Sequence, residues 1–408
     1  MKVLEINACY YQGSTGTIVS DLQSICKKNE IDCHVAYAIS SRKQVPSGYK
    51  IGCLILRKIH ALLSRIDGKQ AYFSYVETFL LIRYMKRLMP DVVHLHNVHN
   101  NYLNLNILLK FLAQSNIPTV VTLHDCWFHT GGCFHYTAVR CNRWLEGCGH
   151  CPKKLSDTPA FFRDKSAAII ADRQKLFQEI PNLYVVGVSK WILRDAQQVV
   201  FRNRPSTVIY NGVDLNIFKP RKSSFREEMG WNSKEVILGP ASKWLDPLNK
   251  GALDFFLGHL SNNQILVLFG SRKDDQFLHP KLQIIKYISD KKLLTSIYSS
   301  ANVMVNCSHE DSLSFINIEA QACGTPVVTY GGTGIEETVD SKCGFAVESG
   351  DYVSLYHVTM RVLKNRPSPK ECREWVANRF NKDINYLHYL DVYKSFYVSS
   401  ENRVCIDP

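Results

Sequence analysis

Ser308-His-Glu-Asp-Ser-Leu-Ser-Phe-Ile-Asn-Ile-Glu-Ala-Gln-Ala-Cys-Gly-Thr-Pro-Val-Val328 places two carboxylates, Asp311 and Glu319, eight residues apart across the expected start of a helix. Just before it, Val303-Met-Val-Asn-Cys307 is a short apolar run that reads as a buried strand. Asp311 and Ser312 are N-cap residue types ahead of the apolar-periodic segment Leu313–Ala322. Gly324 and Pro326 stop that helix, and Val327-Val-Thr-Tyr330 is the next strand. A strand that feeds a helix N-terminus is a ready anion site, because the first turn's N–H groups have no partner within the helix. Eight helical residues rise by roughly 12 Å. That is about the span from a sugar, past two phosphates, to a ribose, so the stretch suits a nucleotide-diphosphate sugar with an acid at each end. The plain alternative is a capped helix carrying one exposed glutamate.

The same alternation runs outward in both directions. Strands are expected at Lys2–Asn7, Cys33–Ala38, Asp91–His96, Pro118–Leu123 and Leu183–Val188. Between the first two, Tyr11–Thr17 reads as a glycine-bearing turn, with a helix from Ile18 onward. Thr207–Tyr210 opens the second half, followed by strands at Val236–Gly239, Ile265–Gly270, Val303–Cys307 and Val327–Tyr330. Strands alternating with helices predict an α/β fold of parallel, doubly wound sheets. At 408 residues the chain is too long for one ordinary core. Two Rossmann-like domains facing a cleft are therefore expected, with the change near Asn211–Lys222, where Pro220 and a basic run break the pattern. The boundaries set are 1–212 and 213–384. Ligands of open parallel sheets bind beyond the carboxyl ends of strands. Six polar clusters fall there: Gly13–Thr17, His96–Asn97, His124–Asp125, Ser189, Lys243–Lys250 and Asp311–Glu319.

Composition narrows the class. Hydrophobic content of 45% and charged content of 21% are those of a globular protein. No run approaches the apolar length of a membrane-spanning helix, and Met-Lys-Val-Leu-Glu-Ile-Asn reads as a first strand with no signal peptide. A cytoplasmic location is expected. The net charge of +12 favours phosphate-bearing partners. No nucleic-acid motif is present, so nucleic acid is not expected as a partner. Leu54-Ile-Leu-Arg-Lys-Ile-His-Ala-Leu-Leu-Ser-Arg-Ile66 mixes apolar and basic residues at helical spacing. It reads equally as a helix lying on an anionic membrane surface or as a basic core-facing helix.

Several side chains could carry chemistry. Gly13-x-x-Gly16 follows the first strand and lacks the full dinucleotide fingerprint, but it lets backbone approach a bulky ligand. Lys243 and Lys250 flank a loop after the strand Val236–Gly239 and could stabilise a departing diphosphate. His124 ends a strand, where it could bond a sugar hydroxyl or stand as a structural histidine. His94, His96 and His99 suggest a metal cluster, but 94 and 96 share a strand face that no carboxylate is expected to join. Hydrogen-bonding roles are preferred for them. Of the fourteen cysteines, isolated ones such as Cys33, Cys307 and Cys323 read as buried packing residues. Cys133, Cys141, Cys148 and Cys151 are clustered. Structural zinc, reduced thiols and disulfides remain three readings of that cluster, with His129, His135 and His150 as alternative ligands.

These residues resemble glycosyltransferase family 4, the retaining GT-B enzymes, over nearly the whole chain. The acid-x7-acid motif falls on Asp311 and Glu319, although the family usually has Glu first. Gly13-Ser-Thr-Gly-Thr17, His94-Leu-His-Asn97, Thr122-Leu-His-Asp-Cys-Trp127 with the clustered cysteines, Asn211-Gly-Val-Asp214 and Cys323-Gly-Thr-Pro326 are similar to a bacterial subgroup. That subgroup acts in colanic acid, capsule and O-antigen assembly. Where it commonly shows Arg-Lys-Gly, this chain has Asn249-Lys250-Gly251. The resemblance implies that Glu319 binds ribose hydroxyls and Asp311 donor-sugar hydroxyls. It implies that the N–H groups of Ser312, Leu313, Ser314 and Phe315, with Lys243 and Lys250, hold the diphosphate. Gly16 would admit the donor, and His124 would lie near the reacting carbon. No catalytic metal is expected. The first domain would bind the acceptor, the second the donor, and a C-terminal helix of about 385–408 would pack back on the first. The expected reaction moves a sugar to a polyprenyl-diphosphate-linked glycan at the inner face of the cell membrane. Another nucleotide-sugar enzyme of the same fold, an epimerase or hydrolase, and a non-catalytic membrane-associated protein are the alternatives.

Overall fold

The computed structural model describes residues 1–271 and 279–401, the last four as backbone only. The described residues form two compact units, one of 1–209 with the described residues from 386 on, and one within 210–385. The first is built on a seven-stranded sheet in the order β3-β2-β1-β4-β5-β6-β7. Its strands are β1 (Lys2–Tyr10), β2 (Asp32–Ser40), β3 (Gly48–Lys50), β4 (Val92–Leu95), β5 (Thr119–Leu123), β6 (Leu183–Gly187) and β7 (Ser206–Val208). Every pairing is parallel. The second unit has six parallel strands in the order β10-β9-β8-β11-β12-β13. They are β8 (Glu235–Pro240), β9 (Gln264–Ser271), β10 (Leu282–Lys286), β11 (Val303–Asn306), β12 (Val327–Tyr330) and β13 (Gly344–Val347).

The sheets are parallel because helices return the chain to the same end each time. Strands buried on both faces then read as continuous apolar runs. Ile237, Leu266, Leu268, Val303, Val305 and Val328 are such residues in the second unit, packed with Trp244, Phe256 and Leu355. In each sheet the order reverses once, between β1 and β4 and between β8 and β11. Such a reversal opens a crevice at the strands' carboxyl ends.

Three expectations need correction. The first helix, α1, spans Gly13–Lys28, so the glycine-bearing segment is its first turn and not a separate turn. The run at 207–210 is the last strand of the first unit's sheet, not the opening strand of the second. Short strands β3, β10 and β13 were not read from the sequence. The helix Leu387–Glu401 belongs to the first unit, where the Tyr393 hydroxyl bonds His94 Nδ1 at 2.7 Å.

Candidate active site

The loops after β8 and β11 leave adjacent strands at the reversal in the second sheet. After β11, the chain runs through Cys307–Leu313 and enters the helix Phe315–Ala322. Its N-cap is Ser314, not Asp311 or Ser312 as the residue types suggested. Asp311 Oδ1 instead accepts the Leu313 N–H at 3.3 Å and shapes the approach. Ser314 makes no side-chain cap bond to the helix, and its hydroxyl accepts from Asn306 Nδ2 at 3.1 Å. The helix Pro369–Arg379, by contrast, is closed by a capping box of Ser368 and Glu371. The first-turn N–H groups of Phe315–Ala322 are therefore left for another acceptor. The buried Ser312 hydroxyl is also without a partner.

A buried amide network fixes this helix. Asn306 Nδ2 also bonds Asn317 Oδ1 at 2.9 Å, and Asn317 Nδ2 bonds Thr338 at 3.0 Å. Asn306 Oδ1 in turn accepts the Ser308 N–H at 3.1 Å. A satisfied polar network of this kind holds its members in one geometry. Glu319 lies one helical turn or so further on. Its Oε2 accepts from the Tyr298 hydroxyl at 2.9 Å. Burial pushes its carboxyl up to about 7, against smaller lowering by Tyr298 and Lys291.

Lys243 is half-buried in the short helix Ala241–Trp244, and Lys250 is exposed at the start of the helix Lys250–His259. Neither forms an ion pair among the described residues. Between them stands buried Asn249. Its amide donates to Lys243 O at 3.0 Å and Cys307 O at 2.9 Å, and its carbonyl bonds His309 Nε2 at 3.0 Å. The residue that replaces an expected arginine thus ties the lysine loop to the end of β11. His309 also bonds Ser349 at 2.9 Å. Sequence reasoning missed Asn249, Asn306, Tyr298 and His309. The signal was there for Asn306, a lone amide closing an apolar strand.

The first unit holds the remaining candidates. Gly16 is buried in α1, where a Cβ would stand 3.2 Å from the backbone of Cys9 and Tyr10. Glycine there lets α1 approach β1, which is a packing role. His124 Nε2 lies 3.0 Å from His96 Nδ1, and its Nδ1 has no partner. Burial lowers the His124 ring to about 4, so it is neutral at pH 7 and suited to hydrogen bonding, not to acid catalysis. His99 Nε2 bonds Asp125 Oδ2 at 3.0 Å. Ser189 is the side-chain cap of the helix Lys190–Gln198. The expectation that no carboxylate joins His94 and His96 is wrong. Glu5 sits beside His94 in the register of β1 and β4. The ligating atoms of Glu5, His94 and His96 all lie within 4.8 Å of one another. Glu5 is fully buried with both oxygens unbonded, and burial drives its carboxyl well above the usual range. His94 is occupied by Tyr393 and by Thr122 at 2.8 Å. Cys133, Cys141, Cys148 and Cys151 are half-buried, reduced, and line one pocket.

Two family models match, one in each half. Glycosyltransferase Family 4 covers residues 30–217, and Glycosyl transferases group 1 covers residues 259–379. Each half of the chain thus matches a glycosyltransferase family model. A family relative in Escherichia coli strain K12, WcaC, is named for glycosyl transfer in colanic acid biosynthesis. It is 22% identical over 374 residues, 88% of this chain and 90% of its own. CapM of Staphylococcus aureus, named as a capsular polysaccharide biosynthesis glycosyltransferase, is 31% identical over 131 residues. That match spans 31% of this chain and 33% of CapM. The solved structure of Anabaena HepE in complex with UDP-glucose superposes with a TM-score of 0.63 at 15% identity, over 97% of this chain and 100% of that one. Both domains are Rossmann-like, the fold class of GT-B glycosyltransferases.

Proposed function

We propose that this glycosyltransferase moves a sugar from a nucleotide-diphosphate sugar to a lipid-linked oligosaccharide, with retention of anomeric configuration, in the assembly of a bacterial surface polysaccharide. The observation that carries the reading is the uncapped start of Phe315–Ala322 at the sheet reversal, with Asp311 before it, Glu319 along it and two unpaired lysines on the neighbouring loop. The diphosphate would accept the first-turn N–H groups and the Ser312 hydroxyl. Glu319 would take the ribose hydroxyls and Asp311 those of the sugar. As the bond from the anomeric carbon to the diphosphate oxygen breaks, negative charge grows on that oxygen. Fixed N–H dipoles with Lys243 and Lys250 stabilise it without reorganisation. The acceptor hydroxyl oxygen bonds to the anomeric carbon, and its proton passes to the departing diphosphate. No metal is needed for this charge balance. His124, neutral, would donate or accept a hydrogen bond at the donor sugar. The names of WcaC and CapM support a polysaccharide product, and the HepE complex supports a nucleotide-sugar donor.

The acceptor's lipid fits a second feature. The helix Leu54–Asp67 buries His60 and Ser64, and it exposes Leu54, Ile55, Leu56, Ile59, Leu62, Leu63 and Ile66. Of the two sequence readings, the core-facing helix is therefore wrong. The helix Tyr75–Leu88, joined to it through a 2.7 Å bond from His60 to Ser74, exposes Tyr75, Val76, Phe79 and Leu80. Arg57, Lys58 and Arg65 lie among the first set. Apolar side chains interleaved with cations are suited to an anionic bilayer. No helix among the described residues is long and apolar enough to cross a membrane. The enzyme would work as a peripheral protein at the membrane's inner face.

The test is thermal stabilisation by a panel of UDP-, GDP- and dTDP-sugars, then turnover with a polyprenyl-diphosphate glycan and assignment of the product's anomeric configuration by NMR. A donor at a hundred times its dissociation constant adds about 2.7 kcal/mol. Free sugar or an epimer as the product, with acceptor present, would overturn the transfer. An inverted anomer would overturn retention alone.

A further inference from the structure

The segment 124–165, between β5 and the helix Ser166–Gln178, contains two short 3-10 turns and no strand or longer helix. Structureless connections of that length are uncommon inside a compact domain unless something other than a backbone ladder holds them. Yet this one is ordered around buried side chains: Trp127, His129, Tyr136 and Trp144. Its four cysteines converge. Cys133, Cys141, Cys148 and Cys151 line a single pocket, together with Arg143, Gly131 and Ser166, and no histidine lines it.

The backbone around the closest pair is unusual. Gly147, Cys148, Gly149 and His150 take φ of +100°, +60°, +97° and +47° in succession. Non-glycine residues in this region cost about 1–3 kcal/mol each and persist only when their surroundings impose them. Both cysteines of Cys148-Gly-His-Cys151 line the pocket. The Gly131 N–H donates to Cys148 Sγ at 3.2 Å, the kind of bond that stabilises a thiolate. The Cys151 N–H is held by Asp164 at 2.6 Å, and the Gly149 N–H by Ser166 at 3.1 Å.

A second, independent observation is electrostatic. Arg173, 1% exposed, holds its guanidinium 3.5 Å over the Trp127 ring. One nitrogen donates to Thr130 O at 2.7 Å and to Trp127 O. Its Nε and Nη2 have no hydrogen-bond partner, and it makes no ion pair among the described residues. A buried cation needs a counter-charge. The groups facing it are Tyr72, Cys148, Cys133 and Asp125; the one carboxylate, Asp125, is shared with His99 and the Trp127 N–H, and the neutral thiols and phenol add no charge.

We propose that Cys133, Cys141, Cys148 and Cys151 bind a divalent zinc ion as a tetrathiolate, with Arg173 and Arg143 as its counter-cations. Four thiols release four protons on binding one Zn²⁺, and the site carries a net charge of −2. Buried Arg173 offsets one of those charges and Arg143, in the pocket lining, the other. Zn–S bonds of about 2.3 Å draw the sulfurs closer than the 4.8 Å grouping that Glu5, His94 and His96 satisfy and the cysteines do not. Binding would have to bring the four sulfurs together across the pocket they line. The ion would be structural, since four protein ligands leave no position for substrate. It would brace the segment that begins at His124, which makes it separable from the transfer reaction.

The experiment uses the full chain, purified under reducing conditions without chelator, with metal content measured by mass spectrometry of the elements. About one zinc per chain is expected. Exchange for Co²⁺ should give the intense visible bands of a tetrahedral thiolate site. The four cysteines should resist alkylation until a chelator is added, while exposed Cys53 reacts at once. Cys141→Ser should lose the metal and melt more than about 5 °C lower. Cys53→Ser should retain both. If Cys141→Ser does not fold, the wild-type chelation and alkylation series decides alone. Metal-free protein after incubation with zinc, or four cysteines alkylated as fast as Cys53, would overturn the proposal. So would an intact mass showing a disulfide among them.

Discussion

Replacing Glu319 by Gln separates what this carboxylate does for the fold from what it does for the ligand. Its folded-state value of about 7 stands well above the ordinary 4.5, with burial as the main cause. A raised acid is neutral in both states at low pH, so its contribution is fully present below the unfolded value. It is lost as pH rises through the folded one. The shift corresponds to about 3 kcal/mol at pH 8 and to under about 0.5 kcal/mol at pH 4.5. Glutamine keeps an oxygen for the Tyr298 hydroxyl and does not titrate. Glu319→Gln should therefore melt with the parent at pH 4.5 and roughly 6–12 °C above it at pH 8, for a domain of this size. Ligand binding should move the other way. Loss of charge-assisted bonds to the ribose costs about 1.5–3 kcal/mol, or roughly 10–150-fold in the Kd for a nucleoside diphosphate. In the parent, that Kd should improve as pH rises toward 7, by no more than that same factor, and then level off. Calorimetric melting and titration of both proteins between pH 4.5 and 8.5 check this. A constant gap in Tm across that range would refute the buried ionisation, and an unchanged Kd in the variant would refute the ribose contact.

Other expectations can be checked alongside. Lys250→Ala should leave the fold intact, because the side chain is exposed, and lower kcat roughly 10- to 1,000-fold in steady-state assays. Glu5→Gln should be neutral near pH 4 and increasingly stabilising as pH rises, since burial holds the Glu5 carboxyl above its usual range. Urea melts at pH 4 and pH 8 would show it, and a destabilised variant at pH 8 would mean that Glu5 is paired. Phe79→Glu and Ile55→Glu, at side chains 59% and 68% exposed, should hardly change Tm. Each should cut sedimentation with anionic vesicles by about tenfold or more.

Much of the architecture was legible because parallel strands are buried on both faces and announce themselves as apolar runs. Val327–Tyr330 has the bounds the sequence suggested, and β5 and β6 differ by one residue. The missed strands are short or polar. Gly48–Lys50 has three residues at a sheet edge, and Leu282–Lys286 and Gly344–Val347 likewise pair on one side only. An edge strand needs little apolar sequence, so periodicity does not reveal it. At the site, charge and spacing pointed to Glu319 and the lysines, but not to what holds them. Asn249 looked like a lost arginine, since nothing local shows that its amide reaches a strand end 58 residues away. The cap moved from Asp311 to Ser314 for a related reason. Side-chain bonding to Asn306 and Leu313 overrides the residues' intrinsic preference. Long-range polar contacts are what a linear reading of residue types does not contain.

The two sheet reversals treat buried polarity in opposite ways, and the difference bears on catalysis. In the second unit, Asn306, Asn317 and Asn249 bond strand ends, the helix start and His309. Removing one partner there would strand another at about 1–3 kcal/mol, so the first-turn N–H groups cannot easily drift. Such a site is organised before its ligand arrives, as charge stabilisation in the transition state requires. In the first unit, both Glu5 oxygens, His96 Nε2 and His124 Nδ1 are buried and unbonded. Burial pushes the Glu5 carboxyl up and both histidines down, which favours the neutral form of each. His124 Nδ1 there offers one directional bond. On the proposed function, the second unit would bear charge and the first would bond hydroxyls. A sugar transferase needs both, the charge at the leaving group and the neutral polar contacts at sugar.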